Sequence, residues 1–206
     1  MTRRRWFVGI IAAAMGWLVV AGPAAAVSGR TPAEFVRALA DKALSILRDN
    51  GTDVATRHAA YRRLLNEGFA IDIIARFAIG RYWRAATPAQ RREYMTLFRD
   101  FVIAIYADRL DSYSGQTFKV VGTQRIDDKD TLVHTEVRQP NGPSVRVDYR
   151  VRAVDEGFKV IDVYVEGVSL LTTQRSEFAA VINRDGIDGL LELMRKRAKE
   201  LKTVKS

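Results

Sequence analysis

Serine, carboxylate and histidine side chains are the groups in this chain that could do chemistry, and their spacing argues against most of it. Gly167-Val168-Ser169-Leu170-Leu171 sets a serine two positions after a glycine. The second glycine of a nucleophile elbow is missing, so Ser169 reads as a turn residue. Only two histidines occur. His58 lies beside Arg57 and Arg62 on a helical stretch and reads as solvated. His134 shares strand parity with Leu132, Glu136 and Arg138, opposite to Val133 and Val137. With no cysteine in the chain, these two cannot complete a metal site.

The carboxylates give no acid and base pair either. Asp127, Asp128 and Asp130 read as turn formers. Asp148 alternates with Arg146, Arg150 and Arg152, which predicts a ladder of opposite charges on a wet sheet face. Asp162 and Glu166 close the last strand, where Glu166 is placed to accept bonds from backbone N–H groups of the following turn. No glycine-rich phosphate loop is present, and the arginine ladder lacks interleaved aromatics, since Tyr149 points to the other face. The reading is therefore of no catalytic residue, no metal, no cofactor and no nucleic acid. A docking surface for a partner is the alternative use of the arginines.

What must position such residues starts at the N-terminus. Arg3, Arg4 and Arg5 precede an apolar stretch from Trp6 to Ala21, followed by Gly22, Pro23 and Ala24-Ala25-Ala26. This is the pattern of a secretory signal cleaved near Ala26, and Thr2-Arg3-Arg4-Arg5-Trp6-Phe7 also resembles a twin-arginine export signal. The stretch is short for a membrane span, and Pro23 would stop it. The expected division is residues 1–26 as signal and 27–206 as one domain, with a core of its own. Losing three arginines and no acid lowers the formal charge from +9 to +6, a mild excess suited to anionic head groups or acidic partners. The expected location is the periplasm, where a chain without cysteine folds without disulfides.

Two nearly identical helix starts follow, Thr31-Pro32-Ala33-Glu34 and Thr87-Pro88-Ala89-Gln90. In each, threonine caps, proline takes the first helical position, and Glu or Gln three residues on reaches back. The first predicts a helix to about residue 48 with Phe35, Leu39 and Ala43 on one stripe. Further helices are expected from residue 53, over 71–78, and over 88–113, the last with a wide apolar face through Leu97, Phe98, Phe101, Ile105 and Tyr106. After Gly115 the period changes from 3.6 to 2. Strands are expected over 118–125, 131–138, 144–153 and 158–166, separated by Asp127-Asp128-Lys129-Asp130, Pro140-Asn141-Gly142-Pro143 and Asp155-Glu156-Gly157. Val145, Val147, Tyr149 and Val151 should face the covered side with Val133, Val137, Ile161, Val163 and Val165. From residue 173 a helical segment runs to about 201, broken at Asp185-Gly186.

Two blocks carry a resemblance. Residues 76–90, Arg-Phe-Ala-Ile-Gly-Arg-Tyr-Trp-Arg-Ala-Ala-Thr-Pro-Ala-Gln, followed by Phe98 and Tyr106, form the first. Val165-Glu166-Gly167-Val168-Ser169-Leu170, with Arg175-Ser176-Glu177-Phe178 and Gly186-Ile187-Asp188-Gly189-Leu190, form the second. Together they resemble the MlaC or toluene-tolerance family of periplasmic phospholipid-binding proteins. One departure is Thr173-Gln174, where the family carries an aromatic before the arginine; it bears on contacts at a cavity mouth, not on the fold.

The resemblance implies an α+β fold: N-terminal helices packed on one face of a curved four-stranded antiparallel sheet, a C-terminal helical segment, and an enclosed apolar cavity for acyl chains. It implies a soluble carrier that shuttles phospholipid between an outer-membrane lipoprotein complex and an inner-membrane transporter of the ABC type, a role in outer-membrane lipid asymmetry. Cavity candidates are Trp83, Phe101, Ile105, Tyr106, Val147, Tyr149, Val151, Val163 and Val165, with Val168 and Leu170 on an apolar rim. The physics agrees: each methylene costs about 0.8 kcal/mol in water, so two long tails resist unassisted crossing by more than roughly 20 kcal/mol gross. Three competing readings stay open. One is a carrier of another envelope lipid such as a hopanoid. Another is a small enzyme with a cone-shaped cavity, using Asp148, Asp162 or His134 on a hydrophobic substrate. The last is an adaptor whose interior is filled by its own side chains.

Overall fold

The computed structural model describes residues 30–49, 53–110, 115–140 and 142–203. Residues 1–26 and the side chains of His58, Ile105 and Tyr106 lie outside what it describes. Its elements are α1 (Pro32–Arg48), α2 (Val54–Gly68), α3 (Ile71–Ile79), α4 (Tyr82–Ala85), α5 (Pro88–Leu110), β1 (Thr117–Arg125), β2 (Asp130–Arg138), β3 (Ser144–Val154), β4 (Gly157–Val165), β5 (Val168–Ser169) and α6 (Leu170–Thr203). Both threonine-proline starts form the expected reciprocal caps. Thr31 Oγ1 accepts from Glu34 N–H at 3.2 Å while Glu34 Oε2 accepts from Thr31 N–H at 3.1 Å. At α5, Thr87 Oγ1 accepts from Gln90 N–H and Gln90 Oε1 accepts from Thr87 N–H.

The five strands form one antiparallel sheet in the order β1-β2-β3-β4-β5. The sequence predicts four. The fifth is the two-residue return after Glu166-Gly167, where both residues take positive φ (49° and 81°) and bring Val168 back beside Val165. A strand of two residues has no alternation to read. In consequence α6 begins at Leu170, three residues earlier than predicted. Its break lies where Asp185-Gly186 predicts one, with Gly186 at φ 73°, ψ −178°.

A register shift opposite Arg150 and Val151 interrupts β4. Strict alternation would bury Ile161 with Val163 and Val165; the bulge instead buries Val160 and Ile161 side by side. Val160 then joins Phe35, Val36, Leu39, Leu64, Val133 and Val151 in a core between α1, α2 and the sheet. A second core lies between α3, α5 and α6, where the rings of Tyr94, Phe98 and Phe178 meet at centroid distances of 5.6 to 6.3 Å. Tyr94 donates its hydroxyl to the Ala75 carbonyl at 2.7 Å, and burial pushes that phenol's pKa upward.

Candidate functional site

Between the two cores a partly enclosed cavity of about 290 Å³ remains open. It is near the lower end of small-molecule sites, ~300–1,000 Å³, and roughly twice the ~150 Å³ engineered void that takes a benzene. Helix α1 contributes Val36, Leu39, Ala40 and Ala43 to its wall; α2 contributes Leu64 and Leu65, followed by Phe69. Ile71 and Ile74 of α3, Phe98, Phe101 and Val102 of α5, and Leu170, Leu171 and Gln174 of α6 close the helical side. The sheet supplies Tyr149, Ile161, Asp162 and Val163. Alanines at 40 and 43, one helical turn apart on α1, leave room where larger side chains would meet the sheet.

Three of these residues carry polar side chains, and one of them is committed to holding the fold. The Asp162 carboxylate accepts from Val163 N–H at 2.8 Å, Leu171 N–H at 3.2 Å and Ser169 Oγ at 2.7 Å. Ser169 Oγ in turn accepts from Thr172 N–H at 2.9 Å, so strand β4 and the start of α6 are laced together at the cavity wall. The sequence marks Ser169 as a turn residue; the structure makes it the cap of α6. Among the described residues no cluster of three or more histidine, aspartate or glutamate side chains could hold a metal.

Of the residues proposed from sequence, Phe101, Tyr149, Val163 and Leu170 stand on this wall. Ile105 and Tyr106 lie outside the described side chains; the remaining five are absent from the wall, each with its own surroundings. Trp83, on the single turn of α4, packs edge-on to Tyr94 at 6.3 Å, with the guanidiniums of Arg76 and Arg91 over its faces. Val151 is spent in the core under α1. Val147 and Val165 pair with each other near the end of β4, beyond the cavity. Val168 projects outward, 59% exposed, because the tight Glu166-Gly167 return turns it away from the interior. The α1 and α2 wall was not named from sequence, although the stripe through Leu39 and Ala43 was its signal.

The opposite sheet face carries the predicted charge ladder, but its acids are not wet. Asp148, expected in solvent, is buried, with Arg146 Nη2 at 2.7 Å from Oδ2 and His134 Nδ1 at 3.1 Å from Oδ1. Burial raises its pKa, and the bonds from Arg146 and His134 outweigh that, so the net shift is downward. Asp130, read as a turn former, is fully buried beneath Arg152 (Nε to Oδ1, 2.7 Å) and Arg150 (Nε to Oδ2, 2.8 Å). The Arg152 bond, reinforced by Arg150, holds its carboxyl below the ordinary value despite desolvation. Glu166 does not satisfy its own turn; its Oε1 accepts from Arg146 N–H at 2.6 Å.

Comparison with known proteins places the chain among relatives. A family model described as MlaC protein matches residues 37–196. The toluene tolerance protein ttg2D of Pseudomonas putida is 27% identical over 176 residues, covering 83% of this chain and 82% of its own. The intermembrane phospholipid transport system binding protein MlaC of Haemophilus influenzae is 21% identical over 205 residues, 96% of this chain and 94% of its own. A phospholipid-binding protein from Ralstonia solanacearum, solved in complex with a phospholipid, superposes with a TM-score of 0.71 at 28% identity. That match covers 82% of this chain and 97% of the other.

Proposed function

The chain belongs to the MlaC protein family, and from that premise we propose that it is a phospholipid carrier that shelters acyl chains in the cavity between its two cores. The observation that carries this reading is the wall itself: hydrocarbon from five helices and the sheet, around space that the protein's own side chains leave unfilled. Transfer from bilayer to such a wall is apolar to apolar, so the roughly 0.8 kcal/mol per methylene that water would exact is largely avoided. The small remaining difference is one that docking to a donor or acceptor can tip.

Binding and release, without catalysis, is the chemistry that the wall supports. Its one carboxylate, Asp162, already accepts three hydrogen bonds and is poorly placed to act as a base. We read residues 1–26 as a cleaved export signal, 27–206 as a single lipid-binding domain, the periplasm as its location, and an outer-membrane lipoprotein complex and an inner-membrane ABC transporter as its partners. The signal pattern of the first 26 residues, the relatives' names and the mild basic excess support this. No helix among the described residues is long and apolar enough to cross a membrane.

Mass spectrometry of the protein purified under native conditions tests the proposal. Glycerophospholipid should co-purify, and delipidated protein should recover it from vesicles. A lipid-free preparation that also takes up nothing from vesicles overturns it.

A further inference from the structure

Among the three polar side chains on the cavity wall, one has nothing to bond. Asp162 is saturated by the start of α6, and the Gln174 amide donates to Glu177 Oε2 at 3.1 Å. The hydroxyl of Tyr149 has no hydrogen-bond partner among the described residues. Its ring is nevertheless fixed: β3 seats it between Val133 and Val163 on the neighbouring strands, and Phe118 meets it edge-on at 6.2 Å. A rigid, amphipathic ring with an unpaired donor is costly in an apolar wall unless something else completes the bond.

The setting of the hydroxyl says where that bond is to be made. Tyr149 keeps part of its surface accessible, yet desolvation pushes its phenol up to about 12. Tyr149 lines the cavity, so the surface it keeps accessible borders that interior space. At neutral pH it is a proton donor.

The charge of the wall narrows the acceptor. The lining contains no lysine or arginine, and its one ionised group, Asp162, is negative. A phosphate would be desolvated there without a counter-ion and beside a like charge, so it stays at the mouth. The first polar atoms of a phospholipid that can follow the tails inside are the ester carbonyl oxygens, which are neutral acceptors.

We propose that Tyr149 reads the ester linkage of the bound lipid, donating its hydroxyl to an acyl carbonyl and thereby favouring ester-linked lipids over ether-linked ones of the same chain length. This rests on the phospholipid-carrier reading above. It assigns Tyr149 a discriminating role that its neighbours Val163 and Phe101, being hydrocarbon only, lack.

The test compares wild type with Tyr149→Phe, which keeps the ring, its volume and the Phe118 contact. Delipidated protein is titrated with vesicles of diester phosphatidylethanolamine and of its diether analogue with the same chains, and uptake is read by mass spectrometry. Wild type should prefer the diester by about tenfold, the scale of one neutral hydrogen bond, and Tyr149→Phe should lose the preference by weakening for the diester alone. Equal uptake of both lipids by wild type overturns the assignment. So does a preference that survives in Tyr149→Phe, or an equal loss for both lipids, which would place the contact at the phosphate. Failure of wild type to take up either lipid overturns the carrier reading itself. An unchanged melting temperature shows that the variant is folded.

Discussion

The backbone N–H of Leu171 donates to the carboxylate of Asp162 at 3.2 Å, tying the last long strand to the first turn of the final helix. Both residues stand on the cavity wall, so this bond fixes the angle at which α6 closes over the sheet. Asp162→Ala removes three accepted hydrogen bonds at once and leaves Leu171 N–H and Ser169 Oγ short of partners. The expected loss is about 2 kcal/mol, which for a domain of this size lowers the melting temperature by roughly 4–8 °C. Thermal unfolding followed by circular dichroism measures it.

Filling the cavity should separate binding from stability. Ala43 lines the wall from α1, opposite the sheet. Ala43→Trp puts an indole into space that is otherwise vacant, so vesicle uptake should fall by more than about tenfold while the melting temperature holds or rises. A variant that melts early and still takes up lipid would contradict the assignment of the cavity.

Acid stability should report the buried carboxylates of the outer sheet face. Asp130 and Asp148 have folded pKa values below the ordinary 3.8. A depressed carboxylate contributes stability that is fully present above its unfolded pKa and lost as pH falls through the folded one. Denaturant midpoints should therefore hold the full contribution of these groups, unchanged with pH, between about pH 5 and 8 and should drop below about pH 4. Asp130→Asn strands Arg150 and Arg152 over a neutral amide. It should cost about 2 kcal/mol at neutral pH, with its curve converging on wild type in strong acid.

Gly80 should tolerate no side chain. It ends α3 at φ 58°, ψ −131°, and a Cβ there would lie 3.0 Å from Nε of Arg175, whose guanidinium rests over the Phe77 ring at 4.9 Å. Gly80→Ala combines a strained backbone with that collision and should destabilise by about 1–3 kcal/mol, measured by urea unfolding.

The elements legible in the sequence are those with local causes. Capping pairs at Thr31 and Thr87, the Asp155-Glu156-Gly157 return and the antiparallel order of the four long strands each depend on a few neighbouring residues, and each forms as read. What escaped has causes distant in the chain. The bulge that buries Val160 with Ile161 depends on how β4 meets β3. Asp148 is buried because Arg146 and His134, on two strands, fold over it. Six residues of the cavity wall come from α1 and α2, whose stripes read as ordinary core because nothing local reveals that Ala40 and Ala43 face a gap. Val168 was placed by its apolar character, whereas the positive φ values of Glu166 and Gly167 decide its direction.

The cavity lies along the joint between two packed masses, not in the middle of either. Close-packed interiors resist compression and dilation, but a joint yields by parting along one surface. Chamber capacity in this molecule is therefore set by how the two cores meet: Val36, Leu39 and Leu64 of one and Ile71, Phe98 and Phe101 of the other each give one side to packing and another to the open space.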